Sequence, residues 1–390
     1  MTKRVPNIGP VSINKRSIAP DLARGFMLLL IVLAHAPILM FNQESLVMNR
    51  PEGLNMMDNI INFLGILFVD NRARVLFAFL FGYGLSMVVE NQIKKSIPNK
   101  EIKRSLIRRA LTLMLFGFVL NIFIGGQDIL SIYGSSTILI GWVLLKSNQV
   151  LTRTILIIFS VYLIIVPFMN IMMAMAIGIG FPTISPDITY LTQMKESLIK
   201  YPGTFMMHVA TPILLPILIG IWASRKELMI KPQHHQRLLI RTAIIGMVIS
   251  IIGALPLTLV GVSLWQPTSI MEGLLSTLHL FTGIAGGLAY AAMFGIIGIY
   301  VNDGNMNFLT YSMTALGKRS LTFFMFNEAI LVILFSPVAI GLGGSSSVTS
   351  TAIISILIWI LSLGLATILE NSGKRGPLDN LFRQIIYRKN

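Results

Sequence analysis

Apolar runs long enough to cross a lipid bilayer recur along nearly the whole of this chain. A transmembrane helix needs about 20 mostly apolar residues, because each residue adds about 1.5 Å and the hydrocarbon layer is about 30 Å thick. Hydrophobic residues make up 54% of the 390 positions and charged residues only 12%. Backbone polar groups inside a bilayer must be satisfied within their own segment. The sequence therefore predicts an all-α, polytopic helical integral membrane protein.

The apolar runs predict about ten transmembrane helices, within a range of about nine to eleven. They cover residues 22–41, 74–91, 106–124, 130–146, 154–178, 204–222, 242–263, 274–300, 320–340 and 351–370. Residues 58–70 are too short to span and predict an interfacial or re-entrant helix, and residues 187–200 predict a second surface helix. An even number of crossings places both termini on the same side.

Lysine and arginine are distributed unequally between the two sides of this topology. Most of the residues behind the net charge of +15 fall on the side that carries both termini. The other side receives only Arg50, Arg72, Arg74, Lys195 and Lys200. Because basic loops remain in the cytoplasm, this bias predicts cytoplasmic N- and C-termini. Charges confined to short loops favour the lipid bilayer as the partner and argue against nucleic acid.

The chain is predicted to form a single membrane domain. A cytoplasmic N-terminus covers residues 1–21, the transmembrane helical domain covers residues 22–370, and a basic cytoplasmic tail covers residues 371–390. There is no cysteine, and the five histidines are scattered without the spacing of an HExxH motif. Thiolate chemistry is therefore excluded, and no metal or haem site is expected.

Arg24 and His35 lie eleven residues apart in the first apolar run. At about 100° per residue this spacing returns to the same helix face, about 16 Å further along. An ionisable side chain inside a membrane helix usually faces a protein interior or a water-filled cavity, so the pair is predicted to be functional. The structural alternative is that Arg24 extends to lipid headgroups while His35 bonds to a neighbouring helix.

A second candidate pair lies near the outer end of the eighth predicted helix. Glu272 and His279 are seven residues apart and again share nearly one face. A carboxylate and an imidazole there would complete an outward-facing catalytic site with His35. The alternative is an interfacial glutamate and a histidine that bonds to another helix.

Glu328 lies deep in the ninth predicted helix, where a carboxylate must be paired or protonated. Arg72, Arg74 and Lys318 are its possible partners, and a structural ion pair and a substrate-binding role are both open. Arg72 and Arg74 oppose the prevailing charge bias, so they are candidates for binding an anionic acceptor, with simple headgroup contact as the alternative.

Two further features have structural interpretations. Asp128 is predicted to cap the following helix. Glycines within the membrane helices, in Gly82-Tyr83-Gly84 and around Gly286, are predicted to permit close helix packing rather than to bind phosphate.

Five segments resemble the YeiB family of bacterial multi-pass membrane proteins, a family of unknown function within the transmembrane acyltransferase superfamily. They are Asp21 to Phe26, Arg74 to Gly84, Asp128-Ile129-Leu130 with Tyr133, Gly317 to Thr322, and Arg375 to Asp379 with Arg383. Residues from about 204 to 385 resemble the conserved C-terminal region of that family. The resemblance implies a location in the bacterial cytoplasmic (plasma) membrane.

The resemblance also implies acyl transfer from cytoplasmic acyl-CoA, with acetyl-CoA as the expected co-substrate. In the related sugar O-acyltransferases the first helix carries a basic residue, ten intervening residues and a histidine, which Arg24 and His35 match. His35 is then the expected general base or acyl carrier. Arg24, Arg108 and Arg109 would hold the phosphates of the donor, and Asp21 would orient Arg24.

The sequence leaves three functions open. The first is an acyltransferase that acts on a cell-envelope or small-molecule acceptor. The second is a transporter or exporter, in which Glu328, His35 and His279 serve substrate or proton coupling; no inverted repeat and no paired broken helices support it. The third is a membrane scaffold without chemistry, which leaves the shared face of Arg24 and His35 unexplained.

Overall fold

The computed structural model describes residues 18–41, 45–178, 185–301 and 306–387, which contain fifteen α-helices and no β-strand. Lys3, Arg4, Lys15 and Arg16 of the predicted N-terminal region, and Arg388 of the tail, lie outside the described residues. The helices are α1 Ile18–His35, α2 Met56–Phe68, α3 Arg72–Lys94, α4 Asn99–Val119, α5 Leu130–Ile140, α6 Asn148–Ile177, α7 Tyr190–Lys200, α8 Met207–Ala210, α9 Leu214–Arg225, α10 Gln236–Gly261, α11 Ser269–Tyr300, α12 Phe308–Gly317, α13 Ser320–Phe335, α14 Val348–Asn371 and α15 Pro377–Tyr387.

Seven helical segments within the described ranges are long and apolar enough to cross a membrane. They are Ile18–Leu39, Met56–Lys94, Asn99–Ile124, Asn148–Ala176, Pro232–Gly261, Ser269–Tyr300 and Val348–Asn371. An eighth crossing arises if Tyr190–Ala210 and Leu214–Arg225, which meet at 62°, form one broken span. The prediction of an all-α protein with several membrane helices is confirmed.

The predicted count of ten crossings is not confirmed. Each of the ten predicted segments contains a helix, but two of them correspond to the shorter apolar helices Leu130–Leu145 and Ser320–Phe335. About 16 residues reach only about 24 Å, which is less than the hydrocarbon thickness of about 30 Å. The side on which the termini lie stays a prediction.

Both helices that were predicted not to span the membrane are present. α2 covers residues 56–68 and leads into α3 through a turn at Asn71, whose φ is +63°. α7 lies within the predicted segment 187–200, and none of its residues is buried.

α1 lies at the centre of the bundle, where its buried side chains pack against α3, α11, α12, α13 and α14. It approaches α12 very closely: a Cβ atom at Gly25 would lie 2.1 Å from the carbonyl oxygen of Met313, and one at Gly317 would lie 1.8 Å from that of Asp21. On another side, the indole of Trp359 in α14 donates to the Gly25 carbonyl at 2.9 Å. Glycine is therefore required at both contacts.

The packing role predicted for Gly82 and Gly286 is confirmed. A Cβ atom at Gly82 in α3 would lie 2.0 Å from the Ile217 carbonyl oxygen of α9. One at Gly286 in α11 would lie 2.3 Å from the Ser250 hydroxyl of α10. Without side chains at these positions, the helix backbones can approach each other closely.

Candidate functional site

α1 and α13 bring His35 and Glu328 together, although the two residues are 293 positions apart in the sequence. The His35 Nδ1 atom lies 2.6 Å from Glu328 Oε1. Glu328 is completely buried, and its Oε2 atom accepts the backbone N–H of Gln127 at 3.0 Å. Both carboxylate oxygens therefore have a partner, which offsets the cost of burying the group.

None of the three basic residues proposed from the sequence is the partner of Glu328. Lys318 pairs with Glu370 instead, at 2.6 Å. Arg72 and Arg74 make their hydrogen bonds with other groups around the α2–α3 turn. The expected partners were all permanent cations, whereas the observed one is an imidazole.

The pair leaves one ring nitrogen of His35 available. Nδ1 is committed to Glu328, and within the described residues Nε2 has no hydrogen-bond partner. The side chain of His35 is 14% exposed. In a neutral imidazole whose Nδ1–H donates to the carboxylate, Nε2 carries the lone pair and can accept a proton. This is the arrangement by which a carboxylate orients a histidine that acts as a general base.

Arg24 lies three turns below His35 on α1, at the wall of a cavity. Its Nη1 atom donates to Asp21 Oδ1 at 2.8 Å, the contact that their spacing predicts. Leu28 and Ile31 occupy the same helix face between Arg24 and His35, and both are buried. The cavity and the His35–Glu328 pair are therefore separated by packed apolar side chains.

The cavity has a volume of about 1170 Å³ and combines two chemistries. Its apolar wall comes from helix interiors and includes Met27, Phe77, Leu80, Phe81 and Phe324. Its basic wall comes from helix ends and the C-terminal segment, and includes Lys94, Arg109, Lys318, Arg319, Lys374, Arg375 and Arg383. Phe324 is four residues from Glu328 on α13, so the apolar wall lies one helical turn from the buried pair.

Only part of this positive charge is neutralised by the protein. Glu370 at the end of α14 binds both Lys318 and Arg319, each at 2.6 Å. No carboxylate in the described part of the chain forms an ion pair with Lys374 or Arg375. The cavity therefore presents a surplus of cations, which suits an anionic ligand.

The two arginines predicted beside Arg24 lie in different positions. Arg109 lines the cavity, and its guanidinium lies 5.4 Å from the centre of the Phe382 ring of α15. Arg108 is half-buried on the same helix and is not among the residues of the cavity wall. A role in holding a donor is therefore compatible with Arg109 and receives no support for Arg108.

The starts of α13 and α15 contact each other at the basic side of the cavity. The Thr322 hydroxyl at the start of α13 donates to Asp379 Oδ2 at 2.7 Å and accepts the N–H groups of Leu378 and Asp379 at 3.1 and 3.3 Å. The Thr322 N–H also donates to Asp379 Oδ2, at 3.1 Å. Burial raises the pKa of Asp379, and the hydrogen bonds from Thr322 oppose that rise. These contacts fix α15 across the cavity.

All five segments that carry the family resemblance meet at this cavity. The first contributes Arg24, the second Phe77 and Gly84, the third Leu130 and Tyr133, the fourth Gly317 to Leu321, and the fifth Arg375, Asp379 and Arg383. They are scattered between residues 21 and 383, yet they line one space. The cavity is therefore the structural feature that these segments share.

The candidates predicted for the outer side form a separate buried network. Arg72 is 1% exposed and donates to the Ile66, Asp70 and Ser250 carbonyls and to the Ser250 hydroxyl. Its Nη1 atom also contacts His279, which is completely buried, at 3.1 Å from Nε2. Most of the donors of Arg72 are therefore used within the protein.

The remaining outer residues lie around this network. The partner of His279 is Arg72, whereas Glu272 lies two turns away in the first turn of α11 and is half-buried. The Arg74 Nη2 atom donates to Asn71 Oδ1 at 2.6 Å. The structure does not bring Glu272 or His279 into contact with His35.

Three site and network residues were not identified from the sequence. Gln127 acts through its backbone, which leaves no side-chain signal. Asp70 forms a buried bidentate pair with Arg50, at 2.6 and 3.0 Å, and Asp58 caps α14 by accepting the Thr349 N–H at 2.8 Å. Asp70 could have been identified from the sequence, because a carboxylate is unusual on the side of the predicted topology that carries few charges.

The profile of a family described as "Protein of unknown function (DUF418)" matches residues 223–389. That part of the chain is similar to this family of unknown function. The whole chain is also similar to the "Uncharacterized protein YxaH" of Bacillus subtilis (strain 168), with 22% identity over 420 aligned positions that cover 98% of this chain and 96% of the relative. No solved structure matches the chain significantly.

The matched part of the chain, residues 223–389, contributes α10 to α15. It supplies Glu328, the Glu370 ion pairs and the Thr322–Asp379 contacts, whereas Arg24 and His35 come from the N-terminal part. The site is therefore assembled from both parts of the chain. Similarity to a family of unknown function agrees with the expectation from the sequence; the YeiB name and the acyltransferase superfamily stay predictions.

Proposed function

We propose that this protein is a membrane-bound acyltransferase of the bacterial cytoplasmic membrane. It moves an acyl group, acetyl in the first instance, from cytoplasmic acyl-CoA to a hydroxyl or amine of a cell-envelope or small-molecule acceptor. The observation that carries the proposal is the His35–Glu328 pair, in which Glu328 binds Nδ1 and leaves Nε2 of His35 able to accept a proton.

In the proposed acyl transfer, the His35–Glu328 pair supplies the main chemical requirement, which is a general base. A thioester is already activated, so the main need is to remove the proton of the acceptor as its oxygen or nitrogen attacks the carbonyl carbon. In the proposal, His35 Nε2 takes that proton and the carbon–sulfur bond breaks. The coenzyme A thiolate then leaves and receives the proton from His35. Glu328 stabilises the imidazolium while it carries the proton.

The cavity supports the choice of donor. Coenzyme A carries several phosphate charges and a long, less polar arm, which correspond to the basic and the apolar walls of the cavity. Arg24 and Arg109 line it, and Asp21 orients Arg24 at 2.8 Å. The basic wall lies on the side that the positive-inside rule predicts to be cytoplasmic, where acyl-CoA is found.

Transfer also requires a passage between the cavity and His35. Leu28 and Ile31 fill the shared face of α1 between Arg24 and His35 and are 0% and 3% exposed. The proposal therefore includes a movement of these side chains when the donor arm enters. A substitution that blocks this passage should separate donor binding from transfer.

The test uses inverted membrane vesicles that contain the protein and are supplied with acetyl-CoA labelled in the acetyl group. Transfer is measured as label recovered in products other than coenzyme A derivatives and free acetate. We expect His35→Gln to lower transfer by about 10²- to 10⁴-fold, the usual contribution of a general base. The matched control is His234→Gln, which changes an exposed loop histidine and should leave transfer unchanged.

Acetyl-CoA binding to the purified protein, measured by calorimetry, separates the possible failures. His35→Gln should retain binding, which shows that the variant is folded, whereas Arg24→Ala should weaken it. Transfer that persists in His35→Gln would remove the role of His35. Folded wild-type protein that binds no acyl-CoA would refute the acyltransferase proposal.

One observation favours a transporter as the second candidate. The segments Tyr190–Ala210 and Leu214–Arg225 meet at 62°, and broken helices are characteristic of transport proteins. In that case the buried Glu328 and His35 would couple proton movement to the solute. Proton flux across proteoliposomes, followed with a pH-sensitive dye and abolished by Glu328→Gln, would favour this candidate if no donor binds.

A further inference from the structure

Asp128 is a buried carboxylate with an incomplete set of partners. It is 8% exposed and lies in the turn between the π-helical segment Leu120–Ile124, which follows α4, and the start of α5. Its Oδ1 atom accepts the Ser131 N–H at 2.9 Å, which confirms the predicted cap. Its Oδ2 atom is buried and has no hydrogen-bond partner within the described residues.

Three neutral oxygen atoms lie in the same neighbourhood. The Ser131 hydroxyl is 2.7 Å from the Tyr201 hydroxyl and 3.3 Å from the Met114 carbonyl oxygen. Tyr201 is also 3.5 Å from the Met114 carbonyl. Gly117 leaves room for the carboxylate, since a Cβ atom there would lie 2.1 Å from Asp128 Oδ1 and 2.4 Å from Ser131 Oγ.

The hydrogen bonds leave lone pairs of these oxygens available. Ser131 can donate its hydroxyl proton to Met114, and Tyr201 can donate to Ser131 or Met114. Each hydroxyl proton thus has an acceptor within the protein. The two hydroxyl oxygens and Asp128 Oδ2 can therefore serve as acceptors for a further group.

The missing partner of Asp128 is best supplied by a cation. Burial raises the pKa of Asp128, while the cap hydrogen bond from Ser131 and the start of α5 oppose that rise and favour the ionised carboxylate. A buried carboxylate without a counter-charge is costly, and no lysine, arginine or histidine in the described part of the chain forms an ion pair with Asp128. Divalent cations prefer several carboxylates, whereas one carboxylate with neutral oxygens matches a single positive charge.

We propose that Asp128 Oδ2, together with the Ser131 and Tyr201 hydroxyl oxygens, binds a monovalent alkali cation. The site lies beside the His35–Glu328 pair, because the next residue before Asp128 is Gln127, whose N–H holds Glu328. A bound cation stabilises this turn and, through Tyr201, fixes the segment between α7 and α8 against α5. The site is independent of the acyltransferase proposal, since a transporter would use the same turn.

The test measures the melting temperature of purified protein in detergent as Na⁺ or K⁺ replaces N-methyl-D-glucamine at constant ionic strength. We expect a saturable rise with one of the two alkali cations, and the comparison between them identifies which is bound. Asp128→Asn should abolish the rise. Ser131→Ala and Tyr201→Phe, which are milder changes, should each raise the half-saturating concentration about tenfold, as expected for the loss of one ligand worth about 1.4 kcal/mol.

The control is Asp58→Asn, which alters another completely buried carboxylate whose oxygens both have hydrogen-bond partners. Its cation response should match that of the wild type even if its melting temperature falls. An equal melting temperature in N-methyl-D-glucamine and in both alkali cations, or an unchanged cation response in Ser131→Ala and Tyr201→Phe, would overturn the proposal. A melting temperature that changes with pH but not with Na⁺ or K⁺ would show that Asp128 binds a proton instead, and would also overturn the proposal.

Discussion

The contact between the starts of α13 and α15 gives a prediction with a defined size. In Thr322→Val the side chain keeps its shape but loses its hydroxyl. The variant removes a hydrogen bond to the Asp379 carboxylate and leaves the N–H groups of Leu378 and Asp379 without their acceptor. A hydrogen bond to a charged group contributes about 1.5–3 kcal/mol. The two N–H groups are only part-buried, so the loss of their acceptor adds less than the roughly 1–3 kcal/mol of a fully buried group. We expect a loss of about 3 kcal/mol in the free energy of unfolding.

The matched control is Thr367→Val in α14. Thr322 and Thr367 are equally buried, each 8% exposed, but the Thr367 hydroxyl donates only to the Leu363 carbonyl of its own helix, at 2.7 Å. This carbonyl also takes part in the helix ladder, so the expected loss is about 1 kcal/mol or less. The assay is reversible unfolding in mixed micelles of mild detergent and dodecyl sulfate, followed by tryptophan fluorescence.

Equal losses in the two variants would refute the reasoning, because they would show that the hydroxyl contributes through its own helix alone. A loss below about 1 kcal/mol in Thr322→Val would do the same, since the three contacts between the helix starts would then contribute little. Limited proteolysis of the C-terminal segment gives an independent readout. Faster cleavage in Thr322→Val than in Thr367→Val is expected, because α15 is released only in the first variant.

Three further substitutions test other parts of the structure. Gly317→Ala should prevent folding, because its Cβ would lie 1.8 Å from a backbone oxygen of α1, whereas Gly364→Ala, with nothing within 4 Å, should yield folded protein by size-exclusion chromatography. Asp70→Asn should cost about 3–5 kcal/mol in the same unfolding assay, since it leaves the buried Arg50 without its charged partner. Ile31→Trp should retain acetyl-CoA binding but lose acetyl transfer; normal transfer would show that the donor arm does not pass this position.

The elements that the sequence predicted best are those set by local pattern. Residues 58–70 and 187–200 were predicted to form helices separate from the long apolar runs, and α2 and α7 occupy these positions. The packing role of Gly82 also followed from its position within an apolar run. The number of crossings was harder, because α5 and α13 are apolar enough but too short, and apolar content alone does not fix where a helix ends.

For the charged residues, the local sequence pattern predicts the helix face of each side chain but not its partner on another helix. The sequence placed Arg24 and His35 on one helix face and placed Asp21 where it contacts Arg24. It could not give the partner of Glu328, because that depends on which turn of α1 meets α13, 293 residues away. It also could not give the partner of His279, which is Arg72 of a different helix.

The sequence by itself determined that this chain is a bundle of membrane helices and which faces of those helices carry ionisable groups. Hydrophobic periodicity and length are local properties, because the free energy of transfer into lipid is favourable for each apolar segment separately. The tertiary structure alone decided that His35 meets Glu328, that five distant segments surround one basic cavity, and that Asp128 retains an unpartnered oxygen. A buried charge is stabilised by whichever donors the packing brings within about 3 Å, and that choice depends on the arrangement of the whole bundle.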